Sequence, residues 1–373
     1  MTTHSRSSWR PDAVAALAPF LVARVLVAMA YVVALIVRDR VLIGHEEPEQ
    51  LSYGLGAWDG AWYLKVAKWG YGGSPHETMR FFPLYPLLSE VIAFPARGHE
   101  LLALVVVANV TAFAALVLLH RLVRERLDDV DLARTSVWAM ALFPGAFVLS
   151  WAYAEPLLLV CSLACAIAAH RRAWWWAAAF AVLAAMSRPT GVLLGGFIIT
   201  EVIGRWRHAD GEERREMACA MFAPLVGLAL VFAHSWWVDG EALAPLRVQE
   251  PLRGDLVDPV TRIVRAITDL FGEQRLADGL HAPFALFLVA LAAVAVRKLP
   301  RSWAVLAVGG VCVALAADNL NSLERYGLNI FPIVVAAGWV VRRWRWIETP
   351  AIAAMAGATV ALTALAWLGP YVP

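Results

Sequence analysis

The sequence predicts an all-α polytopic membrane protein, and three observations carry the prediction. Apolar residues fill 60% of the 373 positions and charged ones only 17%, a balance foreign to soluble domains of this length. Apolar runs of a length suited to crossing a bilayer, about 20 residues, recur along the whole chain. Arginines gather in short clusters between those runs, as orientation signals do. With a net charge of only +2 there is no basic excess of the kind that nucleic acid would require.

Taken in order, apolar runs near 13–37, 101–120, 135–151, 156–169, 173–187, 190–204, 217–237, 283–296, 302–317, 328–341 and 350–368 predict about 11 transmembrane helices, roughly 10 to 13 as short runs merge or split. The opening MTTHSRSSWR has no small-residue cleavage site before the first run, so a retained helix is expected rather than a removed signal peptide. Cys161, Cys165, Cys219 and Cys312 sit within apolar runs, without metal-type spacing, and read as small buried hydrophobes. Two polar regions exceed ordinary loop length, 38–100 and 238–282, within a single membrane domain spanning 1–373.

Lys and Arg of short loops favour the cytoplasm. Five clusters qualify: Arg121, Arg124, Arg126 and Arg134; Arg171 and Arg172; RWRHADGEERR at 205–215; Arg297, Lys298 and Arg301; and VRRWRW at 341–346. All five lie inside, with the N-terminus, only if 38–100 makes no net crossing. FFPLYPLLSEVIAF, Phe81–Phe94, carries Pro83, Pro86 and Glu90 and is therefore expected to be interfacial or re-entrant. The same reckoning gathers 38–100, 151–155, 187–191, 238–282 and 317–329 on the extracytoplasmic face.

The stretch GLGAWDGAWYLKVAKWGYGG, Gly54–Gly73, holds the residues of greatest interest. Trp58, Trp62, Val66 and Trp69 share one helical face by spacing, which predicts an amphipathic helix lying in the membrane interface with its indoles at headgroup level. Asp59 has two readings: a helix N-cap, or a carboxylate taking part in chemistry. Composition does not choose between them. Glu155 precedes Pro156, where a helix should start and a negative charge suits its dipole. Arg188 and Arg325 stand at boundaries of apolar runs on the face that positive charge avoids; snorkelling to headgroups and a surface pair with Glu324 are the plain alternatives. Arg80 and His76 suit either a ligand or an ordinary loop. Tyr326 and Trp151 suit sugar stacking or interfacial anchoring, and Trp174, Trp175 and Trp176 suit the aromatic belt. Asp318, Asn319 and Asn321 form a polar loop beside Arg325.

WDGAWYLKVAKWGY followed by FFPLYPLL resembles the first outer loop of the PIG-V-like mannosyltransferases, polytopic enzymes of the GT-C fold. LFPGAFVLSWAYAEPLLL at 142–159, MSRPTGVLL at 186–194 and LERYGLNIFP at 323–332 match further in the same order. The 205–282 region and the tail beyond Phe331 match nothing. The resemblance implies a GT-C-type fold whose outer first loop carries the catalytic motif. It implies Asp59 as general base, deprotonating an acceptor hydroxyl, and a polyprenyl-phosphate-mannose donor whose β linkage is inverted to α. A departing lipid phosphate needs positive charge, for which Arg188, Arg325 and Arg80 are the candidates. Glu155, Trp58, His76 and Tyr326 are the candidates for substrate binding.

No Gly-rich phosphate loop is present to hold a nucleotide sugar. No tight acidic pair is present for a divalent metal, so no cofactor and no metal are expected. A glycolipid, lipoglycan or protein hydroxyl would serve as acceptor. A secondary transporter or lipid flippase is the alternative reading of many spans with few intramembrane charges, although no internal repeat supports it; a silent scaffold for a neighbouring glycosyltransferase is a third. Ala-, Val- and Arg-rich usage points to a GC-rich bacterium, hence to a multi-pass protein of the plasma membrane with its active site facing out.

Overall fold

A computed structural model describes residues 8–43, 46–93, 98–272 and 278–373. Among these residues the chain is all helical, and the one bridge pair, Leu256 with Ala317, joins two loops. Helix α1 (Arg10–Arg40) carries Asp12 in its first turn and Arg38 and Arg40 in its last, each sign matched to the helix dipole. Three short helices follow, α2 (Glu49–Ser52), α3 (Asp59–Trp69) and α4 (Leu84–Ala93), before the long α5 (Glu100–Leu127). Asp129 caps α6 (Val130–Ala141), accepting from the Leu132 amide at 2.9 Å. Next come α7 (Glu155–His170), α8 (Trp174–Ser187), α9 (Leu194–Ile203) and α10 (Gly211–Asp239), the last capped by Asp210. The second polar region forms α11 (Ala244–Arg247), α12 (Glu250–Arg253) and α13 (Pro259–Leu270). The chain finishes with α14 (Asp278–Lys298), α15 (Arg301–Ala314), α16 (Leu323–Asn329), α17 (Phe331–Arg343) and α18 (Arg345–Leu368).

Five helices, α1, α5, α10, α14 and the Trp346–Leu368 part of α18, are long and apolar enough to cross a bilayer, which makes this a multi-pass membrane protein. Every predicted span falls largely on helix, although 190–204 opens in a 3-10 turn (Pro189–Leu193) and 302–317 outruns α15 by three residues, and two runs are interrupted. The 135–151 run breaks after Ala141, because Pro144 and Gly145, the latter at φ +82°, turn the chain into a short 3-10 segment. The 328–341 run breaks at Ile330, where α16 gives way to α17. Helix α7 is apolar on every side and buried almost throughout, the pattern of a central helix. Cys161 and Cys165 are buried there, but Cys219 and Cys312 are exposed on α10 and α15; an outward face of a membrane helix is itself apolar surroundings, so burial is not needed to shelter a thiol.

Helix α4 has ten residues, about 15 Å, half of what a crossing needs; Phe94 lies outside the described residues. It packs on α5, where the Tyr85 hydroxyl donates to the Leu104 carbonyl at 2.8 Å. Of the α3 stripe only Val66 is buried, together with Gly60 and Tyr63, while Trp69 is 59% exposed; the aromatic Tyr63 fits edge-on between Phe81 and Tyr85.

The arginine clusters meet through acids, of which Asp12 and Glu201 are buried. Asp12 takes Arg121 and Arg124 at 3.1 Å and His120 at 2.7 Å, Glu125 takes Arg171 at 2.9 Å, and Glu201 takes Arg126 at 3.2 Å and Arg205 at 2.8 Å. Arg342 of the last cluster bonds Asp129.

Candidate active site

A cavity of about 780 Å³ is lined by residues from 49–82, 187–190, 249–256 and 313–326. These belong to the polar segments that charge counting in the sequence groups on one face. Asp59 enters it through an unusual backbone. Trp58 holds φ +54° and ψ −118°, a conformation costly for a residue with a side chain. It is held there by its amide donating to Gln50 Oε1 and its indole Nε1 donating to the Ala366 carbonyl, both at 2.8 Å. Asp59 thereby becomes the first residue of α3, and no side chain caps that helix. Its carboxylate is free for other partners.

Those partners are arginines. Arg325 donates to Asp59 Oδ2, and Arg188 lies 3.9 Å from the same oxygen. Beneath them is Glu155, the first residue of α7 and fully buried. It pairs with Arg188 at 2.6 Å and with Arg325 Nε at 3.3 Å. Arg325 also donates to Ser322 Oγ at 3.0 Å and lies over the Tyr153 ring. Burial alone would raise the Asp59 pKa; Arg325 and Arg188 outweigh it and hold the carboxyl below its ordinary range. Asp59 is the exposed member of this lattice, its side chain 18% accessible against 0% for Glu155.

Two carboxylates thus offset two arginines, while the cavity holds further cations. Arg80 lies over the rings of Trp62 and Phe81, and among the described residues no carboxylate pairs with it. Arg253 donates to the Asn321 carbonyl at 3.3 Å and to the Tyr326 hydroxyl, again with no acid. Lys65 sits 4.1 Å from the Trp62 ring centre. Glu49 and Asp255 line the cavity as well, so with Asp59 three acids face five cations, Lys65, Arg80, Arg188, Arg253 and Arg325; the remaining positive excess suits an anionic ligand.

Trp58 and Tyr326 line this cavity together with Asp59, Arg80, Arg188 and Arg325, whereas His76 stands apart, 3.2 Å from Asp239 and half exposed. Asn319 and Asn321 line the cavity too, but Asp318 pairs with Arg265 at 3.0 Å. Glu324 does not pair with Arg325: it is buried against His281 at 2.9 Å and Tyr371 at 2.7 Å. Trp151 is no interfacial anchor, being wholly buried against Trp367, and Trp174 is likewise buried, its indole donating to Glu213 at 3.1 Å. Trp175 and Trp176 are exposed, as belt residues would be. Sequence reasoning passed over Arg253. Its segment is strapped to the 316–326 region by the Asp318 amide donating to the Arg253 carbonyl and the Val257 amide to the Ala316 carbonyl, both at 3.0 Å. The one local signal is Gly254 at φ +65°, which ends α12 and sets the direction of Arg253.

No family model matches the chain, and no curated protein matches it either. Among solved structures it is similar to the crystal structure of the Archaeoglobus fulgidus oligosaccharyltransferase tethered with an acceptor peptide, with a TM-score of 0.48 and 13% identity over 94% of this chain and 56% of that one. The chain spans about half the length of that protein. At this level the likeness is one of chain path, and the chemistry is read from the cavity.

Proposed function

We propose that the chain is a GT-C-type membrane glycosyltransferase of the PIG-V-like kind, moving mannose from a polyprenyl-phosphate-mannose to a glycolipid, lipoglycan or protein hydroxyl outside the plasma membrane. One observation carries the reading. The aspartate that the motif pattern marks as the base opens on a large cavity where five cations, Lys65, Arg80, Arg188, Arg253 and Arg325, outnumber three acids, Asp59, Glu49 and Asp255, and where, among the described residues, Arg80 and Arg253 have no acid partner.

The acceptor oxygen attacks the anomeric carbon as the bond from that carbon to the phosphate oxygen breaks. The bonding pair leaves with the phosphate, and the hydroxyl proton passes to Asp59, giving inversion. Arg325 holds Asp59 by a hydrogen bond. A donor phosphate competes for that guanidinium and frees the carboxylate to accept a proton. Arg188, Arg80 and Arg253 meet the charge growing on the leaving phosphate, so the reaction is proposed to need no metal. Tyr326 and Trp58 offer ring faces to the sugar.

The test is to incubate the purified protein in vesicles with labelled polyprenyl-phosphate-mannose and a membrane extract. Label entering a new product, with release of polyprenyl phosphate, supports the reading. Label that crosses the bilayer unreacted would make the protein a transporter.

A further inference from the structure

Helix α13 is amphipathic in the reverse of the usual sense. Val260, Val264 and Ile267, with Phe271 at its C-terminal cap, follow one another at steps of four, three and four residues and so form one stripe. All four are exposed, Val260 by 71% and Phe271 by 84%. The three charged residues of the helix lie on the opposite side, and each is paired. Arg262 is buried and bonds Asp278 at 2.6 Å, with Asp269 3.7 Å away, and Arg265 bonds Asp318 at 3.0 Å. A helix on a water-facing surface turns its charges outward. Here the charges hold the helix to the bundle, and the outward stripe carries none.

The position of α13 says what covers that stripe. The helix packs beside α14, a spanning helix of 21 residues, which is about 31 Å long and so matches the hydrocarbon layer in thickness. Arg297 and Lys298 stand in its last turn, so Asp278, its first residue, lies at the opposite boundary of the layer. The ion pair with Arg262 sets α13 at this level. Gly279 then places α13 at the flank of α14. It approaches the backbone of Asp269 and Leu270 so closely that a Cβ there would stand 2.8 Å from it. Gly279, Pro283 and Leu286 share one face of α14 by their spacing, and Pro283 and Leu286 are exposed, on the side of a spanning helix that meets lipid. Helix α13 therefore covers the first turn of the same face that meets lipid further along, and its own stripe, turned away from α14, continues that apolar surface at the boundary.

We propose that α13 is an in-plane membrane anchor, its stripe of Val260, Val264, Ile267 and Phe271 immersed in the lipid of the leaflet on the cavity's side. A helix of this kind sinks its apolar face about 5–10 Å into the boundary between headgroups and acyl chains, a depth that the stripe reaches while Arg262 and Arg265 keep their acid partners. The anchor bears on the cavity through the chain that leads into it. Arg253, Asp255 and Leu256 lie on the cavity wall, and Leu256 is 91% exposed. With α13 fixed in the leaflet, this wall is held at the membrane surface, and Arg253 keeps its place over the Tyr326 ring. The anchoring does not depend on the reaction carried out in the cavity.

Spin labels read the surroundings of the stripe directly. In protein whose exposed Cys219 and Cys312 are changed to Ala, a nitroxide is attached to Val264→Cys, to Phe271→Cys and, at an exposed polar position for reference, to Glu250→Cys, each reconstituted in phosphatidylcholine vesicles. Oxygen concentrates in the bilayer and a nickel chelate in water. The ratio of oxygen to nickel collision rates should be several-fold higher at Val264 and at Phe271 than at Glu250. All three side chains are exposed, so labelling leaves the packing of the bundle intact. A ratio at both stripe positions equal to that at Glu250 would leave the stripe in water and overturn the proposal. Low collision rates with both reagents would overturn it too, because a protein surface, either a partner or a second copy of this chain, would then cover the stripe.

Discussion

The guanidinium of Arg325 is hydrogen-bonded to the carboxylate of Asp59 across 266 residues of sequence. The pair joins the first polar region to α16, and it puts a base beside a phosphate-type cation in the cavity. Arg325 serves Asp59, Glu155 and Ser322 at once, a geometry a lysine cannot reproduce. Arg325→Lys is expected to lower kcat/KM for the donor by about 10- to 100-fold in a protein that still folds. An unchanged kcat/KM would separate Arg325 from the chemistry.

Glu155 should matter to stability more than to turnover. It is buried beneath two guanidiniums, and breaking a buried pair leaves an uncompensated charge at about 3–5 kcal/mol. Glu155→Gln is expected to lower the apparent melting temperature in detergent clearly, with Glu155→Ala lower still. A variant that melts like wild type would show that Arg188 and Arg325 find other support.

The pH profile should carry the sign of the Asp59 shift. Burial pushes its pKa up, but Arg325 and Arg188 hold it below the ordinary value. The stabilisation from this pairing is therefore complete above the unfolded value, about 3.9, and is lost as pH falls through the lower folded one. The acid limb of kcat/KM, which reports the free enzyme, should accordingly fall below about pH 4, leaving a flat profile from about 5 to 7. In kcat the limb should move upward, because a bound phosphate draws the arginines away. An acid limb of kcat/KM near neutrality would contradict the pairing.

Arg253 at the end of α12 and Arg80 just before Phe81 have no acid partner among the described residues. Each changed to Gln should raise the donor KM by roughly tenfold with less effect on kcat, and raised salt should weaken donor binding less in the double variant than in wild type. Unaltered KM in both would remove them from phosphate binding.

Much of the fold was legible because the bilayer imposes length: α1, α5, α10, α14 and α18 all coincide with long apolar runs. Where the sequence misled, a local rule yielded to packing. Leu142–Leu149 is apolar enough to extend a span, yet Pro144 and Gly145 break it. The spacing of Trp58, Trp62, Val66 and Trp69 drew attention to one face of α3, but nothing in it pointed to Tyr63 as the ring that packs inward. Asp59 could be singled out because its motif is compact. Arg253 could not, since its partners Asn321 and Tyr326 are 68 and 73 residues away and only the folded loops bring them together.

The most direct measurement is mannosyl transfer by Asp59→Asn beside wild type, with donor binding determined on the same preparations. Loss of a general base predicts transfer at least about 100-fold slower while donor affinity stays within a few fold. Transfer at the wild-type rate by Asp59→Asn would contradict the account.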